Sequence, residues 1–428
     1  MAMRRLALQG SVRRLFTRLH RWSGLTLLVV LFIAAATGSV LPFREQIERW
    51  INPHLHVVPA GAQRVPLQEV IDIVERRHPD ARVSTITLRS ETADASLIVY
   101  LAKRPGAPPG DLEASEAFVN PYTGTLLGER NRRHPVFSRE NVVPMLIRLH
   151  YSLLLESPGV WLMGTAAMVW LLTSVIGLAL AWPAGARRAV NWRPIVTVRR
   201  EAGSYKLTYD LHRALGVALL PVWLVLGFTS LYLNFPGLVR AATMAVATVT
   251  APPTRSAARM ERPAVTPDQA IAKALARVHA AKPFGVTRDF TRSWYAVRLV
   301  APGDVSPTGN SQVYVDFSTG EVVAVRLASE LRAGDRFIFW QFPLHSGEAF
   351  GLPGRVAVAV AATALMVMCG TGLYVWWRGW SVRASAKSVR RERHAEAKCD
   401  GITGARHVDG GDVGAGGVGA GHAHGNRE

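Results

Sequence analysis

The chain has 428 residues, a mean hydropathy of +0.14 and a formal net charge of +19, so it is both apolar and rich in arginine. The basic residues gather beside apolar runs, which excludes nucleic acid as the reason for the charge and points to a membrane. There are two cysteines, Cys369 inside an apolar run and Cys399 in the tail, so no disulfide can staple the regions between the runs.

Four stretches carry no charged side chain: between Arg21 and Arg44, Glu156 and Arg187, Arg213 and Arg240, and Arg355 and Arg378. A helix needs about 20 apolar residues to cross the hydrocarbon core, and a charge near its centre costs roughly 3 kcal/mol. All four are long enough. The first, Trp22 to Phe43, is too long for a secretory signal core and reads as an uncleaved span.

In chain order the expected organisation is a cytoplasmic N-terminus (1–21), a span (22–43), and an external region (44–156) with a small module at about 64–128. A second span (157–182), a cytoplasmic connection (183–213) and a third span (214–239) follow. Then come an external region (240–355) with a second module at about 264–326, a fourth span (356–377), and a basic, then Gly/His-rich disordered tail (378–428). The arginine clusters precede the first span, fill the connection and follow the last span. The positive-inside rule therefore puts both termini in the cytoplasm and both external regions in the periplasm of a bacterial inner membrane.

The external regions share a pattern. Val65 to Arg77 reads as a helix opened by Pro66, with Val70, Ile73 and Val74 on one face. Strands are expected at Val83–Leu88 and Leu97–Leu101, and Phe118 to Leu127 reads as strand, turn and strand. In the second region Thr266 opens a helix through Val278, Trp294–Val300 and Val313–Phe317 are strand-like, and Ser318–Glu321 is a turn. The expected fold class is an all-α four-span transmembrane bundle, a parallel tandem repeat, with two small α+β extracytoplasmic modules.

The spans themselves repeat. Leu19-His20-Arg21 recurs as Leu211-His212-Arg213, with Gly24 and Gly216 four residues after each histidine. Thr37 and Thr229 stand seventeen residues after each histidine, followed by Gly38 or Ser230, and Phe43 matches Phe235. Leu149-His150 matches Leu344-His345, followed by Pro158-Gly159 and Pro353-Gly354, Gly177 and Gly372, and Trp182 and Trp377. Both units start on the same side, so the pseudo-twofold axis runs along the membrane normal.

This arrangement gives two histidine pairs at two depths, His20 with His212 at the inner side and His150 with His345 at the outer. A flat ligand with two axial positions suits such pairs, and haem iron accepts histidine in this way, whereas zinc usually takes three or four protein ligands. Gly24 and Gly216 lie one turn from their histidines on nearly the same face, where a porphyrin edge would press. Arg21, Arg148 and Arg213 are candidates to pair with haem propionates, or serve as anchors for topology and headgroups. The tryptophans near span ends, Trp192 among them, fit an aromatic belt. His54 and His56 read as a solvated loop, His78, His134 and His279 as surface residues, and His407, His422 and His424 as a weak metal-binding tail. No dinucleotide fingerprint and no His-Glu-x-x-His or Gly-x-Ser-x-Gly signature is present.

The residues Leu19-His20-Arg21-Trp22-Ser23-Gly24-Leu25, the two Leu-His steps and Thr371 to Arg378 resemble the PepSY-associated transmembrane family, described as iron-regulated membrane proteins and including ferric-siderophore reductases. Asn120-Pro121-Tyr122-Thr123-Gly124 and Asp316-Phe317-Ser318-Thr319-Gly320 are similar to PepSY domain turns. The resemblance extends to about Arg393, with departures at Ala214, Leu215 and Ser230. It implies haem b, two per chain, with His20 and His212 holding the inner and His150 and His345 the outer group. It also implies contact with membrane lipid, a quinol or cytoplasmic reductase as electron donor, and a ferric-siderophore or other ferric chelate as acceptor. The residues alone leave open a non-enzymatic regulator or assembly factor, a four-span transporter, and a haem electron carrier with a non-iron acceptor.

Overall fold

Apolar runs satisfy their backbone polar groups internally when helical, and the charge-free stretches do so here. The computed structural model describes residues 10–405, apart from 90–91, 134–136, 183–192, 202, 252, 254–259 and 261. The start of the expected N-terminus, residues 183–192 and 202 of the 183–213 connection, with Trp192 among them, and His134, His407, His422 and His424 lie outside the described residues, as does the side chain of Cys399. Two units divide the chain, Met1–Leu373, which holds the sites below, and Tyr374–Glu428, described as helix to Ala405.

The first copy runs through α1 (Gly10–Gly38), α2 (Arg44–Ile51), α3 (Pro53–His56) and α4 (Leu67–Arg77). Strands β1 (Ala81–Thr87), β2 (Leu97–Lys103), β3 (Glu116–Val119) and β4 (Leu126–Arg130) follow, then α5 (Val142–Ser152) and α6 (Glu156–Ala181). After a short α7 (Arg193–Val196), the second copy runs through α8 (Ser204–Ala218), α9 (Leu220–Asn234), α10 (Pro236–Val246) and α11 (Pro267–Arg277). It continues with β5 (Lys282–Asp289), β6 (Trp294–Val300), β7 (Ser311–Asp316), β8 (Val322–Arg326), α12 (Ala333–Ser346) and α13 (Gly351–Ala405).

Two expectations are corrected. The third span is not one helix: Pro221 lacks an N–H and its ring crowds the carbonyl four residues back, so the run breaks between α8 and α9 with a bend of 66°. Among the described residues three helices are long and apolar enough to cross a membrane, four if the bent pair counts as one span.

The second correction is to the all-α architecture with two separate small modules. The strands of both copies form one eight-stranded antiparallel sheet, ordered β4-β3-β2-β1-β5-β6-β7-β8. Its joint is the β1–β5 ladder, Thr85 with Thr287, Ile86 with Val286 and Thr87 with Gly285. A lone module would leave β1 as an open edge, and pairing the copies covers it. β5 was not expected, and its Pro283 and Gly285 have the local chemistry of a turn. Gly285 is needed for another reason: a Cβ there would meet the Ile86 carbonyl oxygen at 2.8 Å.

Alternation sets the two faces of the sheet. Val83, Ile86, Val297 and Val315 pack with Val70, Val74, Ala270 and Ala274 of α4 and α11 into one buried core. A capping box between Thr266 and Gln269 starts α11 where the sequence places it. Thr85, Thr87, Tyr100, Thr287 and Arg298 line a polar cavity with residues of α2 and α5.

Candidate functional site: two histidine pairs

The structure brings the four expected histidines together in the expected couples. His20 on α1 faces His212 on α8 with ring centres 6.3 Å apart and planes at 82°. His150 on α5 faces His345 on α12 at 6.0 Å and 56°. The outer histidines sit on short helices of their own, each turned back before the following span. A left-handed residue ends each of these helices, Leu153 (φ 51°) after α5 and Gly347 (φ 78°) after α12.

Each ring is held by its Nδ1. The Thr37 hydroxyl lies within 2.7 Å of the Ile33 carbonyl, to which it donates, so its oxygen accepts from His150 Nδ1–H at 2.9 Å. Thr229 does the same between the Val225 carbonyl (2.8 Å) and His345 (2.9 Å). Thr371 donates to the Met368 carbonyl (3.1 Å) and accepts from His212 (3.0 Å). His20 Nδ1 faces the Thr173 carbonyl at 3.2 Å, an acceptor only, so it too is the donor. All four imidazoles thus carry their proton on Nδ1, which leaves the Nε2 lone pair for a ligand.

Small residues press the rings into place. A Cβ on Gly38 would meet His150 Cε1 at 3.0 Å, one on Gly177 would meet His20 Cε1 at 3.1 Å, and one on Gly372 would meet His212 Cε1 at 3.2 Å. These are the repeated glycines of the sequence, acting against the rings. Gly24 has open space where its Cβ would be, and a Cβ on Gly216 would come only to 3.6 Å from Met368, so both leave room beside the inner pair.

The ring separations match those of two imidazoles that share one ion. A metal–imidazole bond is about 2 Å and the ring centre lies roughly 1 Å beyond the nitrogen, so two rings sharing one ion stand about 6 Å apart. Both pairs have that spacing. Among the described residues no group of three or more His, Cys, Asp or Glu side chains converges, which does not suit a structural zinc site. Around the outer pair lies a largely apolar cavity of about 530 Å³, with Ala34, Gly38, Trp170, Trp223 and Leu226 in its wall. That volume is in the range of cofactor pockets.

The three candidate arginines are engaged locally. Arg21 lies over the Trp22 ring with its centre 5.5 Å away, and its Nε is buried without a partner among the described residues. Arg148 pairs with Glu156 and donates to the Arg133 carbonyl. Arg213 pairs with the fully buried Asp210 at 3.1 Å, which also holds Arg199.

Sequence reasoning missed the role of the threonines, although Thr37 and Thr229 recur at one spacing from the leading histidines. It also missed a buried network below the sheet. His56, read as a loop residue, is 1% exposed and bonds Glu48 at 3.1 Å. Arg130 bridges Glu48 (2.9 Å) and Glu116 (2.6 Å). Burial pushes the His56 pKa down despite the Glu48 bond. Burial also opposes the Arg130 charge, but Glu116 and Glu48 outweigh it and hold the pKa above the ordinary value.

No curated protein matches the chain. The family model described as "PepSY-associated TM region" matches residues 17–379, taking in all four histidines, the sheet and the apolar helices. The chain is a membrane protein and belongs to the PepSY-associated TM family.

Proposed function

We propose that the protein is a haem-b-containing transmembrane electron-transfer protein that reduces ferric iron held by a chelate, a siderophore in particular, on the periplasmic side of a bacterial inner membrane. The observation that supports it most is the pairing of four imidazoles, each with Nδ1 hydrogen-bonded, at the 6.3 and 6.0 Å ring separations that two imidazoles sharing one iron would have. His20 with His212, and His150 with His345, would each hold one haem, which when bound supplies a one-electron couple.

The chain's own residues do the rest. The Thr37, Thr229 and Thr371 hydroxyls and the Thr173 carbonyl fix ring orientation, and the repeated glycines let the rings seat against the neighbouring helix. The apolar wall around His150 and His345 keeps water away and lowers the local dielectric. Arg148 and Arg213, held by local partners, are better suited to anchoring the helix ends than to meeting propionates, whereas Arg21 keeps a buried donor without a partner among the described residues. The net reaction is one electron delivered to Fe(III), giving Fe(II), which a hard-oxygen chelator holds less tightly. The donor that is oxidised is a quinol or a cytoplasmic reductase. The arginine clusters at span ends support a multi-pass topology with both termini cytoplasmic.

The deciding experiment is the oxidised and dithionite-reduced absorption spectrum of purified protein, with the haem-to-protein ratio. Two b-type haems per chain are expected, with one lost in His212→Ala and one in His345→Ala. Folded protein from haem-replete cells that carries none would overturn the redox reading.

A further inference from the structure

A second cavity, of about 440 Å³, lies between the sheet and helices α2 and α5, and its lining is charged. Five arginines (44, 89, 130, 132 and 298) face three glutamates (45, 48 and 116). Most of these charges are spoken for. Arg130 holds Glu48 and Glu116, Arg132 pairs with Glu116 at 3.2 Å, and Arg44 pairs with Glu348 at 3.3 Å. Glu45 is exposed. Arg89 and Arg298 make no ion pair and no side-chain hydrogen bond among the described residues. Tyr100 lies within electrostatic reach of both, and its hydroxyl has no hydrogen-bond partner among the described residues either.

Arg89 is half-buried and Arg298 exposed, so both guanidiniums are open to a ligand, and their planar forks match carboxylates. The position of the cavity adds a second argument. Arg44 and Ile147 line both this cavity and the apolar one around His150 and His345. Ile147 lies on α5, three residues before His150. An anion held here sits beside the outer histidine pair.

We infer that the polar cavity docks an anionic metal chelate that presents carboxylates, gripped by Arg89 and Arg298 with a hydrogen bond from Tyr100. This rests on the reading that a ferric chelate is reduced at the His150–His345 end, and it narrows the chelate to a class. Neutral or cationic hydroxamate chelates lack the groups that the two arginines need.

Gallium(III) citrate is redox-inert, so its binding to the full chain in phosphatidylcholine nanodiscs, followed by calorimetry, reports the site with or without haem. The R89Q/R298Q variant is expected to bind about tenfold more weakly or worse, with a flatter salt dependence. Tyr100→Phe should bind several-fold more weakly. Melting temperature and haem spectrum should be unchanged in both. Wild-type affinity in the double variant overturns the proposal. So does equal affinity for metal-free citrate or inorganic phosphate, which would make this a site for free anions. Retained haem with no gallium citrate binding sinks only this inference, whereas gallium citrate binding by a chain without haem sinks only the electron-transfer reading.

Discussion

The two copies of the repeat differ most where their sequences look most alike. In the first, α1 runs unbroken over the 29 residues from Gly10 to Gly38. In the second, Pro221 stands where the first copy has Val29, nine residues after the leading histidine, and the helix bends by 66°. Yet Thr37 and Thr229 each reach their outer histidine at 2.9 Å. What the duplication preserves is the contact at the ring rather than the backbone path that delivers it. The inner pair shows the reverse: the rings correspond, but His20 bonds a carbonyl where His212 bonds the Thr371 hydroxyl.

The largest expected effect tests whether the copies depend on each other. Gly285→Val drives a side chain into the Ile86 carbonyl at the joint and should destabilise the sheet by about 3 kcal/mol, read from thermal unfolding by the fluorescence of the buried Trp294. An unchanged melting temperature would mean that the copies fold independently.

Next in size are the ring contacts. Thr37→Val and Thr229→Val should each weaken haem retention at the outer pair about tenfold, measured by transfer to an acceptor globin. Thr371→Val should do the same at the inner pair. Thr173→Val should not, because the Thr173 hydroxyl bonds Ser23 at 2.7 Å and His20 uses only the carbonyl. Equal losses in Thr371→Val and Thr173→Val would erase the difference between the inner histidines.

A smaller effect separates the copies by pH. The His56 network belongs to the first copy, while the second has Asp335 with Arg326 at 2.9 Å in its external region. Because burial lowers the His56 pKa, the unfolded chain takes up a proton that the folded chain refuses. The contribution of this group is full above about pH 6.5 and is lost as the pH falls below it. Melting temperatures of wild type and His56→Gln should converge between pH 7 and pH 5, and parallel curves would remove His56 from the acid response. The smallest effect is geometric. Pro221→Leu should straighten α8 and α9 with little change in stability, read as a lengthened spin-label distance between their outer ends. A bend that persists would assign it to packing.

Much of the site was legible in the residues. The four histidines and their pairing followed from Leu-His steps repeated at matching distances, and the helices at Leu67 and Pro267 followed from their start signals. The strand β6 was read at its observed bounds. The joint of the sheet was not legible, because Pro283 and Gly285 have the local chemistry of a turn and only the approach of β1 makes them strand. Nor was the break at Pro221, since hydropathy counts apolar residues without regard to a missing N–H. The His56 network was hidden for a similar reason: charges that neutralise each other at distant positions look like surface residues one at a time.

The β1–β5 joint has a further consequence. Counted from the bulges after Val83 and Pro283, Thr85 corresponds to Gly285, Ile86 to Val286 and Thr87 to Thr287, and the ladder pairs Thr85 with Thr287, Ile86 with Val286 and Thr87 with Gly285. Thr85 therefore meets the counterpart of Thr87, Thr87 the counterpart of Thr85, and Ile86 its own counterpart, which is the reciprocity of an isologous dimer interface. Two separate copies would form that interface only as their concentration allowed. Tethered in one chain, they meet at an effective concentration fixed by the connection, and dilution cannot part them.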